Sequence, residues 1–88
     1  MTIDEIIGRK VRAARLELGL SQSALAESIG VTFQQVQKYE KGVNRIAAST
    51  LYGIAKALRR PIDSFFPLRA KSKANLMAGT AEIGRDGA

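Results

Sequence analysis

The chain has 88 residues, with 14 Lys and Arg against 8 Asp and Glu, a formal charge of +6 and an isoelectric point of about 10.2. That length supports one small domain with a modest core. It contains no Cys and no His, which removes disulfides, thiolate metal sites, the commonest general base and every nucleophile activated by histidine. These absences argue against catalysis, and no cofactor or metal is expected. The basic excess points instead to a polyanionic partner: DNA, RNA or an anionic membrane surface. No apolar run reaches membrane-spanning length. The start, "MTIDEIIGRK", lacks the order of basic, apolar and small residues found in a signal peptide. A cytoplasmic location is the expectation.

Apolar residues recur at helical spacing from the outset. Ile3, Ile6, Ile7, Val11, Ala14 and Leu18 predict an amphipathic helix over 3–18. Thr2 and Glu5 fit a capping box. Gly19 stands where a left-handed cap belongs, with Leu20 turned inward after it. A second helix is predicted from the cap Ser21 to Ile29, with Leu25 and Ile29 inside and with Ala24 and Ala26 small enough for close helix approach. Gly30 ends it. A third helix starts at the cap Thr32. Gln35 would complete a capping box, and Val31 with Val36 would form a hydrophobic staple. Gly42 closes it. The turn between these two helices is so short that they must cross steeply, as in a helix-turn-helix.

After the loop "GVNRIAA", Leu51, Ile54, Ala55 and Leu58 predict a fourth helix over 49–58. Pro61 breaks the chain and can open a fifth, short helix, "PIDSFF", whose Ile62, Phe65 and Phe66 are expected to seal the core. Tyr52 reads with them as core or dimer surface. After Pro67 the pattern dissolves. Residues 67–88 are expected to form a flexible C-terminal tail, with a weak helix near 75–78. The fold class is all-α.

The third helix carries an unusual face. At 3.6 residues per turn, Phe33, Gln37, Lys41, Gln34 and Lys38 share an arc of about 140°, while Val36 and Tyr39 lie opposite. Glutamine can pair with adenine N6 and N7, lysine can donate to guanine O6 and N7, and an apolar ring can rest on a thymine methyl. An α-helix fits the major groove. The simpler alternative for such residues is an ordinary solvated helix face.

On these residues, and on "RLELGLSQSALAESIGVTFQQVQKYEKG" and "LYGIAKALRRPIDSFF", residues 5–66 resemble the lambda-repressor/Cro type of helix-turn-helix domain. The resemblance implies a compact five-helix DNA-binding domain over 1–66, a homodimer on double-stranded DNA and a regulator of transcription, with a repressor expected before an activator. It assigns base reading to Phe33, Gln34 and Lys38. Direct, water-mediated and structural roles all stay open for Gln37. It assigns backbone contacts to Ser21, Gln22, Thr32, Lys41, Asn44 and Arg45, and Gln35 is grouped with them at the start of the third helix. Phe33 departs from the more frequent polar residue, which favours a thymine methyl or sugar contact; packing on the second helix is its alternative. Arg15 and Glu40 fall where a partly buried ion pair often joins the first and third helices.

Other basic residues have plainer readings. Arg9, Lys10 and Arg12 read as solvated. Arg59 and Arg60 suit the dipole at the end of the fourth helix. Lys71 and Lys73 belong to a soluble tail. A second function class remains open: an antitoxin-type or other protein-interaction module whose tail binds a partner. RNA readers favour aromatic stacking platforms, and only Phe33 could serve as one.

Overall fold

Thr2 opens the first helix, α1 (Ile3–Glu17), with both halves of a capping box. Its hydroxyl accepts from the Glu5 amide at 3.1 Å, and the Glu5 carboxylate accepts from the Thr2 amide at 2.8 Å. The computed structural model describes residues 1–67. The expected tail beyond Pro67, with its weak helix at 75–78 and with Lys71 and Lys73, lies outside the described residues. Helix α1 ends in a Schellman arrangement: Leu20 N–H donates to Arg15 C=O at 3.1 Å and Gly19 N–H to Leu16 C=O at 3.0 Å. Gly19 takes φ 73° there, a conformation that favours glycine.

Ser21 caps α2 (Gln22–Ile29) by accepting from the Ala24 amide at 3.0 Å. Thr32 caps α3 (Phe33–Lys41) by accepting from the Gln35 amide at 3.1 Å. Only this hydroxyl half of the second capping box forms; the Gln35 side chain returns no bond to Thr32 among the described residues. A neutral amide gains less from a helix N-terminus than the Glu5 carboxylate does. Helix α4 (Ala48–Leu58) starts one residue before the expected Ser49 and has no side-chain cap. Arg59 ends it at φ 58°, the one non-glycine residue with positive φ among those described.

The expected fifth helix is a single 3-10 turn, Ile62–Phe65. Pro67 forces the residue before it out of helical geometry, and Phe66 is accordingly extended, with φ −91° and ψ 159°. The fold is therefore four α-helices and a 3-10 turn, with no strand among the described residues.

Each element contributes to one core. Val11, Leu25, Val36, Ile54, Leu58 and Phe65 are almost completely buried. Several residues expected in the core or on a dimer surface lie outside the core. Of the three apolar side chains in the last turn, only Phe65 is inside; Ile62 and Phe66 are exposed, as is Tyr52 on α4. A four-residue turn can aim only one of its large side chains at the core. Lys56 instead lies over the exposed Tyr52 ring, its Nζ 5.7 Å from the centroid. Ile3 and Leu18 are also exposed, because they sit at the two ends of α1, beyond the span that its neighbours cover.

Helices α1 and α3 approach closely at the backbone level. A Cβ on Gly8 would lie 2.3 Å from the Tyr39 carbonyl oxygen and 2.8 Å from that of Glu40. Gly8 is buried inside α1. Its missing side chain lets the helix rest directly on the C-terminal half of α3, and this sets how α3 is presented.

Candidate nucleic-acid interface

Helix α3 divides its residues cleanly. Val36, Tyr39 and Glu40 are buried, while Phe33, Gln34, Lys38 and Lys41 are exposed and Gln37 is half-buried. Two glycines delimit this helix region: Gly30 at φ 74° and Gly42 at φ 75°. At Gly42 a Cβ would lie 2.6 Å from Glu5 Cα, so both the conformation and the space demand glycine. The side chains of Gln34, Gln37 and Lys38 make no hydrogen bond or ion pair within the protein among the described residues. Their donors and acceptors are available to a ligand.

Glu40 is the one acidic residue of α3, and it is turned away from the outward face. It meets Arg15 in a two-pronged ion pair, Nε to Oε2 at 2.7 Å and Nη2 to Oε1 at 3.0 Å. Both side chains are more than nine-tenths buried, so the pair is deeper than the partly buried one expected. Arg15 Nη1 also donates to the Leu20 carbonyl at 2.8 Å. The hydrogen bond to Glu40 holds the guanidinium above its already high ordinary pKa, against the opposing effect of burial. With Glu40 turned inward, the outward face of α3 carries only the basic side chains of Lys38 and Lys41.

The other candidate residues lie around this face in different states. Ser21 and Thr32 are exposed, and their hydroxyl oxygens already accept the cap bonds; each hydroxyl still has a proton to donate. Gln35 and Asn44 are half-buried. The Arg45 side chain is 87% exposed and reaches Asp4 only at 4.0 Å, which is too loose to hold it. Gln22 is half-buried, and its Nε2 donates to Glu40 Oε1 at 3.0 Å. Nothing in the sequence pattern announced that bond. Gly8 was also missed, though an isolated glycine inside a helical pattern is a signal of close backbone approach. Arg60 pairs with Glu17 of α1, so it ties two helices together and does not simply offset the α4 dipole.

Among the described residues no group of three or more acidic, His or Cys side chains could hold a metal ion. No helix there is long and apolar enough to cross a membrane.

Comparison with known proteins agrees with this arrangement. The helix-turn-helix family model HTH_3 matches residues 11–65. A Rhodospirillum rubrum protein named as an uncharacterized transcriptional regulator in the ATPase CF(0) region is 59% identical over 64 residues, which is 73% of this chain and 59% of that protein. An uncharacterized HTH-type transcriptional regulator of Sinorhizobium medicae is 52% identical over 64 residues, 73% of this chain and 46% of its own length. The chain thus spans about half the length of these two relatives. Among solved structures, the restriction-modification controller protein C.AhdI of Aeromonas hydrophila superposes with a TM-score of 0.68 at 27% identity, over 70% of this chain and 94% of that one. The chain belongs to the Cro/C1-type helix-turn-helix family.

Proposed function

We propose that the protein is a sequence-specific DNA-binding regulator of transcription, a repressor that works in the cytoplasm and binds a near-palindromic operator as a homodimer. The observation that carries this reading is the outward face of α3, where Phe33, Gln34 and Lys38 are exposed while the only acidic residue of the helix is locked inward on Arg15. In the proposed complex α3 lies in the major groove. Gln34 and Lys38 read base edges, Phe33 rests on a thymine methyl, and Gln37 reads directly or through water. Ser21, Gln22, Thr32, Gln35, Lys41, Asn44 and Arg45 contact the sugar-phosphate backbone, which sets register and supplies most of the affinity.

The names of the relatives support regulation, and the family match over 55 of the 88 residues (11–65) supports DNA as the partner. Selection of bound duplexes from a random pool tests the reading. It should enrich two inverted half-sites centred one helical turn apart, about 34 Å. Recovery of unenriched sequence at low salt would reduce the protein to a non-specific polyanion binder.

A further inference from the structure

Glu40 Oε1 accepts two hydrogen bonds at 3.0 Å, one from Arg15 Nη2 and one from Gln22 Nε2. A carboxylate can only accept, so the amide nitrogen of Gln22 must be the atom that faces it. Gln22 is the first residue of α2, and Glu40 is the last but one of α3. The tight turn through Gly30 joins the opposite ends of the same two helices. Two helices tied at one end by a turn can still swing. Tied at both ends, they keep one angle.

The anchor for this second tie is rigid. Arg15 engages both Glu40 oxygens and is itself held by the Leu20 carbonyl at 2.8 Å. Glu40 therefore cannot rotate to follow a displaced Gln22.

We infer that Gln22 is a positioning residue for sequence discrimination: by donating to Glu40 it holds α2 and α3 at the angle at which the start of α2 and the outward face of α3 engage the same stretch of duplex. The inference rests on the DNA-reading function proposed above. Its physical basis is a difference in tolerance. Phosphates recur along every duplex and accept a contact over a range of positions, whereas base edges require placement within about 0.5 Å. A small swing of α3 against α2 therefore costs discrimination before it costs general affinity. If Gln22 acted only through its second amide proton on a phosphate, its loss would weaken every sequence alike.

Gln22→Met keeps the length of the side chain and removes the donor. Binding by the full chain is measured on the selected site and on a random duplex at one salt concentration. The expected result is a fall in preference for the selected site of about fivefold or more, the lower end of what one mismatched base pair costs, on top of whatever equal loss the missing backbone contact of Gln22 brings to both duplexes. Equal loss on both duplexes, or an unchanged preference, would overturn the inference while leaving the DNA-reading function intact. A wild-type protein without any preference would overturn both. If Gln22→Met does not fold, Gln22→Asn, whose shorter amide cannot span to Glu40, gives the same comparison. In the free protein, the side-chain amide protons of Gln22 should exchange with solvent more slowly than those of exposed Gln34, and equal exchange would also count against the tie.

Discussion

Arg15 and Glu40, 25 residues apart in sequence, meet at 2.7 Å with both charged ends out of solvent. The pair does two things at once. It removes the negative charge of α3 from its outward face, and it fastens α3 to α1 and to the turn at Leu20. Burial makes it sensitive: taking away one partner strands the other charge in a low-dielectric setting. Glu40→Ala should therefore destabilise the domain by about 3–5 kcal/mol, a large share of the roughly 5–15 kcal/mol that holds a small domain together. Chemical denaturation of the two proteins measures this. A difference of a few tenths of a kcal/mol would mean that water reaches the pair freely.

Gly8 gives a prediction that runs against helix propensity. Alanine is the better helix former by about 1 kcal/mol. At position 8, however, its methyl group would collide with the Tyr39 and Glu40 carbonyls, which belong to backbone and cannot rotate away. Gly8→Ala should cost about 1–3 kcal/mol and should disturb the shifts of α3 amides in an NMR spectrum. Gly30→Ala is the control. It meets nothing within 4 Å and carries only the φ 74° penalty, about 1–2 kcal/mol, and should leave the α3 signals beyond the turn in place.

Arg59 holds a left-handed conformation without being glycine. Arg59→Gly relieves that strain, partly offset by the greater freedom of glycine in the unfolded chain. The expected net gain is about 0.5–1 kcal/mol in thermal or denaturant unfolding. A loss of stability would show that the Arg59 side chain makes a contribution larger than the strain.

The capping box gives the fold an acid sensitivity. The Glu5 carboxyl is held below its ordinary pKa, chiefly by the hydrogen bond from the Thr2 amide. A depressed folded-state pKa stabilises the fold above the unfolded value, about 4.3, and the benefit disappears as pH falls through the lower folded value. Wild type should thus be more stable than Glu5→Gln at neutral pH, and the gap should close on acidification below about pH 4. Unfolding curves collected from pH 7 downwards check this; a gap that stays constant would remove Glu5 from the cap.

How much of this was legible in the sequence follows from the range over which each feature is decided. Caps and terminating glycines are local, and Thr2, Ser21, Thr32, Gly19, Gly30 and Gly42 all stand where the first three helices begin and end. The separation of Val36 and Tyr39 from Gln34 and Lys38 follows from helical period alone. Which of Ile62, Phe65 and Phe66 faces inward depends on 3-10 geometry between two prolines, and an apolar count does not contain that. The tie from Gln22 to Glu40 crosses 18 residues. No periodicity encodes it, since it depends on how two separate helices are placed against each other.

The most direct test of the central claim, that the outward face of α3 reads base sequence, is the affinity of wild type and Lys38→Ala for the selected site and for random duplex at matched salt. The account predicts a loss of about 1–3 kcal/mol on the selected site and a much smaller loss on random DNA. Equal losses on the two duplexes would contradict it, because Lys38 would then be serving the phosphate backbone alone.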